Sequence, residues 1–256
     1  MTIILGIESS CDETAAGIIT DKGEVLANVI ASQVDVHKIY GGVVPEIASR
    51  QHLLAISPTV EEAMQKAGLV WQDLDAVAVT QGPGLVGALL VGLSYGKGLA
   101  QAIGKPIIGV HHLEGHLLVN FIEHPNLQYP FLALIVSGSH SDIVLAKAPG
   151  RYQLLGQSRD DAAGEAFDKI SRAIGLGYPG GPAIQKAAQN GDPQKYTFPR
   201  AWLEADSFDF SFSGLKSAIL NFIRQCEKKR EIWRVEDVAA SVQMAICDVL
   251  SAKAIR

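Results

Sequence analysis

His112 and His116 stand four residues apart in the run His111-His112-Leu113-Glu114-Gly115-His116, just after a short apolar segment. On a helix of 3.6 residues per turn they lie about 40° apart and stack on one face, with roughly 6 Å between Cβ atoms. Two imidazoles placed so can hold one divalent transition metal ion, iron and zinc alike. His111 is turned about 100° from His112 and serves less well. The alternative is a helix start with incidental histidines. Zinc-like ions take three or four ligands, and no other His or Cys here has the spacing to complete the set. A metalloprotease is disfavoured. In the HExxH type the general base directly follows the first histidine, and that position is Leu113. Glu114 falls about 200° from His112, on the far side of the helix.

Two short turns are rich in small side chains and backbone amides, Ser9-Ser10-Cys11-Asp12-Glu13 and Ser137-Gly138-Ser139-His140. Such turns can approach a phosphate closely, and a nearby carboxylate can orient a metal, a water or an amine. As plain hairpin turns they would look much the same. Gly82-Pro83-Gly84-Leu85-Val86-Gly87 matches GxGxxG, but a dinucleotide site also wants an acid about 20 residues on. No Asp or Glu occurs between Asp75 and Glu114, so these glycines read as a tight turn and close helix packing. In Asp160-Asp161-Ala162-Ala163-Gly164-Glu165-Ala166-Phe167-Asp168-Lys169 the acids Asp161, Glu165 and Asp168 recur on one helical face. Asp161 and Glu165 could simply complement the helix dipole, whereas Asp168 lies past the first turn and could bind ribose hydroxyls. Gly177 to Pro182 supplies a rigid turn where a flat base could lie against backbone. Phe208 to Lys216 reads as an edge strand with a Ser N-cap before a helix.

The elements that must carry these groups alternate. Strand patterns cover Ile3–Ile7, Thr14–Thr20, Glu24–Ala31, Leu74–Thr80 and Pro106–Val110. Helical patterns cover Pro45 to about Lys66, kinked or divided at Pro58, and Gly84–Ile103. Strand, small-polar turn and strand recur at Phe131–Val136 and Asp142–Ala146, so the chain predicts two related domains facing each other across a cleft. The division is set at 1–110 and 111–256. Helices follow near 160–175, 182–188, 213–229 and 235–256. The fold class is α/β. The last helix carries no stop signal, so the sequence reads as a fragment or the ordered part of a longer protein.

Of the 256 residues 48% are hydrophobic and 19% charged, enough for a sizeable core. A net charge of −5 and a pI near 5.8 argue against nucleic-acid binding by a broad basic surface alone. Three cysteines without CxxC spacing suggest neither disulfides nor a thiolate zinc site. Leu85–Ile103, interrupted by glycines and Lys97, reads as an interior helix, not a membrane span. The expectation is a soluble, cytoplasmic protein without membrane association.

The motifs together resemble the TsaD family, formerly described as O-sialoglycoprotein endopeptidases. Matching text runs from Gly6 to Thr14, from Tyr40 to Glu46 and from Gln81 to Gly87. It continues from His111 to His116, Asp160 to Lys169, Tyr178 to Pro182 and Phe210 to Lys216. The resemblance implies the actin-like fold shared with heat-shock chaperones and sugar kinases, a nucleotide in the cleft, and a tRNA-modifying acyltransferase. Such an enzyme moves a threonylcarbamoyl group from threonylcarbamoyl-AMP to the exocyclic amine of the adenine 3′ of the anticodon, in tRNAs reading A-starting codons. Carried over, His112 and His116 resemble two of three metal ligands. Ile135, Val136, Ser137, Gly138 and Ser139 resemble the phosphate-facing loop, Asp168 and Gly181 the ribose and base contacts, and Asp12 and Glu13 the acidic pair by the reacting group. The family's Gly-Gly-His-Thr is Gly138-Ser139-His140-Ser141 here, which adds a side chain where backbone should come close. The third ligand, an aspartate, and an asparagine contact to adenosine would lie beyond Arg256, so this stretch alone is expected to bind metal poorly and be inactive. Expected partners are tRNA, a TsaB-like paralogue and a TsaE-like ATPase. The alternative is an ATP-binding regulatory or scaffold subunit of the same fold.

Overall fold

The structure is a computed structural model and describes residues 1–204 and 206–256. The chain divides into two units, Met1–Leu127 and Gln128–Arg256. This division keeps the His112–His116 segment with the N-terminal sheet.

In the first unit β1 (Ile3–Glu8), β2 (Glu13–Thr20) and β3 (Val25–Ser32) form an antiparallel meander, and β4 (Ala76–Gly82) and β5 (Ile107–His111) add in parallel, giving the order β3-β2-β1-β4-β5. Alternation decides which side is buried: Ile3, Leu5 and Ile7 of β1 and Ala16 and Ile18 of β2 enter the core. There they meet Ile56, Val60, Ala63 and Met64 of the long helix spanning Pro45–Ala67. A short helix, α1 (Val34–Lys38), precedes it, so the long one is α2. α2 is not divided at Pro58. The residues around the proline, Ile56, Thr59 and Val60, are buried, and that packing outweighs the loss of one backbone bond. Helix α3 (Val86–Ile103) packs its small residues Ala88, Gly92, Gly96 and Ala100 inward. Then come α4 (His112–Leu118) and α5 (Asn120–Glu123).

The second unit repeats the opening. β6 (Phe131–Val136), β7 (Ser141–Ala148) and β8 (Arg151–Gly156) form a second antiparallel meander in the order β6-β7-β8. The strand, turn and strand anticipated in both halves are therefore present; β8, with little alternation of its own, was not anticipated. Helices α6 (Ala163–Ala173), α7 (Gly180–Ala188), α8 (Ser213–Lys229) and α9 (Val235–Ile255) enclose a core of Ile143, Ile170, Ile184, Phe210, Phe212, Ile219, Val242 and Ile246. Among the described residues two helices, α3 and α9, are long and apolar enough to cross a membrane. α9 is instead the central core helix of its unit, whereas α3 is not the interior helix expected: it packs one small-residue face on β4 and α2 and leaves Val86 and Leu90 exposed.

Phe208–Lys216 departs from the expected edge strand and Ser cap. Phe210 makes one isolated bridge with Ser158, and Ser213 is already the first residue of α8. The cap comes from far away in sequence. The Asp160 carboxylate accepts from the amides of Phe212 (2.8 Å) and Ser213 (3.2 Å) and from the hydroxyls of Ser211 (2.5 Å) and Ser213 (2.7 Å). Burial pushes the Asp160 carboxyl up, but these bonds outweigh it and hold it below the ordinary range. Its stabilising effect is therefore fully present above the unfolded value near ~3.9 and is lost as pH falls through the lower folded value. Asp160→Ala is expected to cost about 1–2 kcal/mol in chemical denaturation at neutral pH, with the gap from the parent closing below about pH 4. A gap that persisted at low pH would remove the cap as its cause.

Candidate functional site

Because β1, β4 and β5 are parallel, their carboxyl ends share one edge of the first sheet, the edge at which open α/β sheets bind ligands. Glu8 ends β1, Thr80 lies near the end of β4, and His111 ends β5 and leads straight into α4. The imidazoles of His112 and His116 stack edge-on, with ring centroids 4.6 Å apart and planes at 83°. Their Nε2 atoms lie 3.2 Å apart. Two nitrogens bound to one tetrahedral ion at ~2.0–2.1 Å would be separated by roughly 3.3–3.4 Å, so the pair fits two corners of such a site. Among the described residues no group of three or more His, Cys, Asp or Glu side chains gathers around a single point.

Behind His112 is a residue the sequence reading passed over. Glu8 Oε2 lies 3.1 Å from His112 Nδ1 and accepts from the Thr80 hydroxyl at 2.7 Å, while Oε1 accepts from the Ser10 amide. Burial pushes the Glu8 carboxyl up, but the bonds from His112, Ser10 and Thr80 prevail and hold it at about 2. The available signal was an acid placed at the end of an otherwise apolar strand.

The turn after Glu8 is clamped on several sides. His52 is fully buried; its Nδ1 accepts from the Thr14 hydroxyl at 2.7 Å and its Nε2 donates to the Cys11 carbonyl at 3.0 Å. The Gln33 amide donates to Asp12 O (3.1 Å), and the Leu85 amide to Ser10 O (2.8 Å). A Cβ on Gly84 would stand 2.5 Å from that Ser10 oxygen, so the glycine-rich segment serves close packing against this turn. On it sit Asp12, half-buried, and Glu13, exposed and paired in register with Ser32. Cys11 lies in the same turn. Burial, with Asp12 beside it, pushes the thiol up to about 12.

In the second unit the turn after β6 is closed by its own serine. Ser137 Oγ accepts from the amides of Ser139 (3.3 Å) and His140 (3.1 Å), and the Gly164 amide of α6 donates to Ser137 O at 3.1 Å. Ile135 is buried and Val136 exposed, while Gly138 faces open space where a Cβ would be. The acids of the next segment separate. Asp161 precedes α6 and shares Lys169 with Glu165, at 2.6 and 2.8 Å. Asp168 instead accepts from the Gly180 amide at 2.6 Å. Burial raises its carboxyl above the ordinary range, against the pull of that amide and of Arg172. Gly180 has no room for a Cβ, but one on Gly181 would meet nothing within 4 Å. Asp168 and Gly181 are thus brought together through Gly180.

A family model described as TsaD, tRNA N6-adenosine threonylcarbamoyltransferase, matches residues 24–256. The chain is 55% identical over 254 residues to a tRNA N6-adenosine threonylcarbamoyltransferase of Clostridium perfringens, and 57% identical to one of Clostridioides difficile. Each match takes in 99% of this chain and 75% of the relative, so the chain spans about three quarters of their length. Among solved structures, component A of the (R)-2-hydroxyglutaryl-CoA dehydratase of Acidaminococcus fermentans matches 100% of this chain and 78% of its own, with TM-score 0.51 and 12% identity. The activator of the 2-hydroxyisocaproyl-CoA dehydratase of Clostridium difficile matches 98% of this chain and 74% of its own, with TM-score 0.51 and 14% identity. At such identities these two share the fold alone, and that fold is actin-like.

Proposed function

The chain belongs to the TsaD family of tRNA N6-adenosine threonylcarbamoyltransferases, and we propose that it carries out their transfer with threonylcarbamoyl-AMP as donor and a divalent ion, iron or zinc, held by His112 and His116. It is an acyltransferase that modifies adenosine in tRNA. The proposed acceptor is the exocyclic amine of the adenine 3′ of the anticodon in tRNAs reading A-starting codons. The observation that carries the metal reading is the 3.2 Å approach of the two Nε2 atoms at the carboxyl edge of the parallel strands.

When bound, the ion supplies Lewis acidity toward the donor's oxygens, favouring charge separation as AMP leaves. The remaining roles fall to this chain's own groups. The Ile135–Ser139 turn, open over Gly138, would face the phosphate. Asp168 would accept from a ribose hydroxyl, and the bare backbone at Gly181 leaves space for the base. Glu13, exposed at the start of β2, would take the proton lost by the attacking amine, with Asp12 beside it orienting that amine. The net charge of −5 supports tRNA capture with help from accessory subunits, a TsaB-like paralogue and a TsaE-like ATPase, in the cytoplasm.

The test is to incubate the full-length protein, including the remaining quarter of the relatives' length, with threonylcarbamoyl-AMP and unmodified tRNA, with and without those subunits, and to look for the modified nucleoside by mass spectrometry. Metal content is measured in parallel. Modified nucleoside together with bound metal is expected. Nucleotide binding without metal or product would mark a regulatory subunit, and Glu13→Ala with undiminished transfer would remove the proton-acceptor role.

A further inference from the structure

Glu8 lies on the strand face opposite the core, where β1 alternates Ile4, Gly6 and Glu8 against the buried Ile3, Leu5 and Ile7. β1 and β4 pair in parallel with Ile7 opposite Val79, so Thr80 is the next neighbour along β4. Its hydroxyl, at 2.7 Å, and the Ser10 amide fix the two carboxylate oxygens from different sides. So held, Oε2 lies 3.1 Å from His112 Nδ1. Both carboxylate oxygens already accept, from Thr80 and from Ser10, so a bond from the ring requires the proton on Nδ1 and leaves the lone pair on Nε2. That lone pair is the one aimed at the His116 Nε2 atom, 3.2 Å away. The Ser10 hydroxyl, 3.2 Å from the same Nδ1, adds a second partner that can accept from it.

We propose that Glu8 is a positioning residue that fixes the tautomer and ring orientation of His112, so that His112 Nε2 is presented with His116 Nε2 to one divalent cation. The proposal rests on the reading of this pair as metal ligands. Its chemistry is that of carboxylate–histidine–metal arrangements, in which the outer acid aligns the ring and raises its basicity. Thr80 and Ser10 in turn keep the acid from swinging away, so the arrangement runs from two strands through Glu8 to the ring.

The experiment uses Glu8→Gln and Glu8→Ala with two readouts. Titration of metal-free full-length protein with Co(II), followed by its visible absorption, measures affinity. Nitrogen-15 NMR of labelled histidine on the same metal-free samples reports which nitrogen of His112 carries the proton. Both variants are expected to bind Co(II) about 10- to 100-fold more weakly than the parent. His112 is expected to lose its Nδ1–H form, most completely in Glu8→Ala. Thermal unfolding checks that each is folded, and Glu8→Gln, which keeps the size of the side chain, decides if Glu8→Ala is not. Variants that bind Co(II) as tightly as the parent overturn the proposal, as does an unchanged His112 tautomer. If the parent itself binds no Co(II), the metal reading falls and the cation role of Glu8 with it; the NMR result then identifies that failure as distinct from a failure of Glu8 to hold His112.

Discussion

In the full-length protein, His116→Ala is expected to abolish stoichiometric metal binding and to lower kcat/KM for threonylcarbamoyl transfer by on the order of 10³-fold, with the fold intact. The size follows from the several kcal/mol of charge stabilisation that a Lewis-acid ion supplies, at about 1.4 kcal/mol per tenfold in rate. The fold should survive because His116 is exposed on a short helix and takes no part in the core of its unit. His111→Ala is the internal control. It also removes an exposed imidazole, but one at the end of β5 and not in the Nε2 pair. Its effect should stay within about twofold, as for a surface substitution. Elemental analysis and nucleoside mass spectrometry measure both variants. If His116→Ala retained metal and rate, the imidazole pair would have no place in the mechanism.

The pair could be read from the sequence because helical periodicity is a local property. His112 and His116 share a helix, and a helix fixes the angle between its own residues whatever surrounds it. The two hairpins were legible for the same reason, since the short apolar runs Ile3–Ile7 and Phe131–Val136, each followed by a small-polar turn, are local features of the chain. What escaped is what the chain brings together over long separations. Glu8 and His112 meet only because β1, β4 and β5 are parallel and end at one edge. Asp160 caps a helix whose start is Ser213, and a serine already in place there made a local cap look sufficient. The Asp161, Glu165 and Asp168 stripe requires a helix that begins at Asp160. It begins at Ala163, so Asp161 joins Glu165 on Lys169 and Asp168 turns to Gly180. Pro58 misled in the opposite direction: a local rule favoured a break, and burial of its neighbours carried the helix through.

His52→Leu separates the scaffold from the chemistry in the first unit. The imidazole is fully buried and satisfies two groups at once, the Thr14 hydroxyl and the Cys11 carbonyl. Leucine fills much of the volume but leaves both polar groups buried without that partner, at about 1–3 kcal/mol each when unsatisfied. The expected cost is about 2–4 kcal/mol, and the melting temperature of the first unit should fall by on the order of 10 °C. Thr14→Val removes only one of the two bonds and should cost about half as much. Coupling between the two changes, read from a double-mutant cycle, would locate the energy in the clamp. The Cys11 carbonyl belongs to the turn that carries Asp12 and Glu13, whereas the His112–His116 pair is mounted on α4. Below its melting temperature, His52→Leu should therefore lose kcat by a larger factor than metal affinity, because the acids of the turn drift while the ligands stay on α4 and feel the turn only through Ser10. A variant that is less stable yet turns over normally when folded would make His52 a strut for the sheet alone and leave the alignment of the acidic pair to Gln33, Leu85 and Gly84.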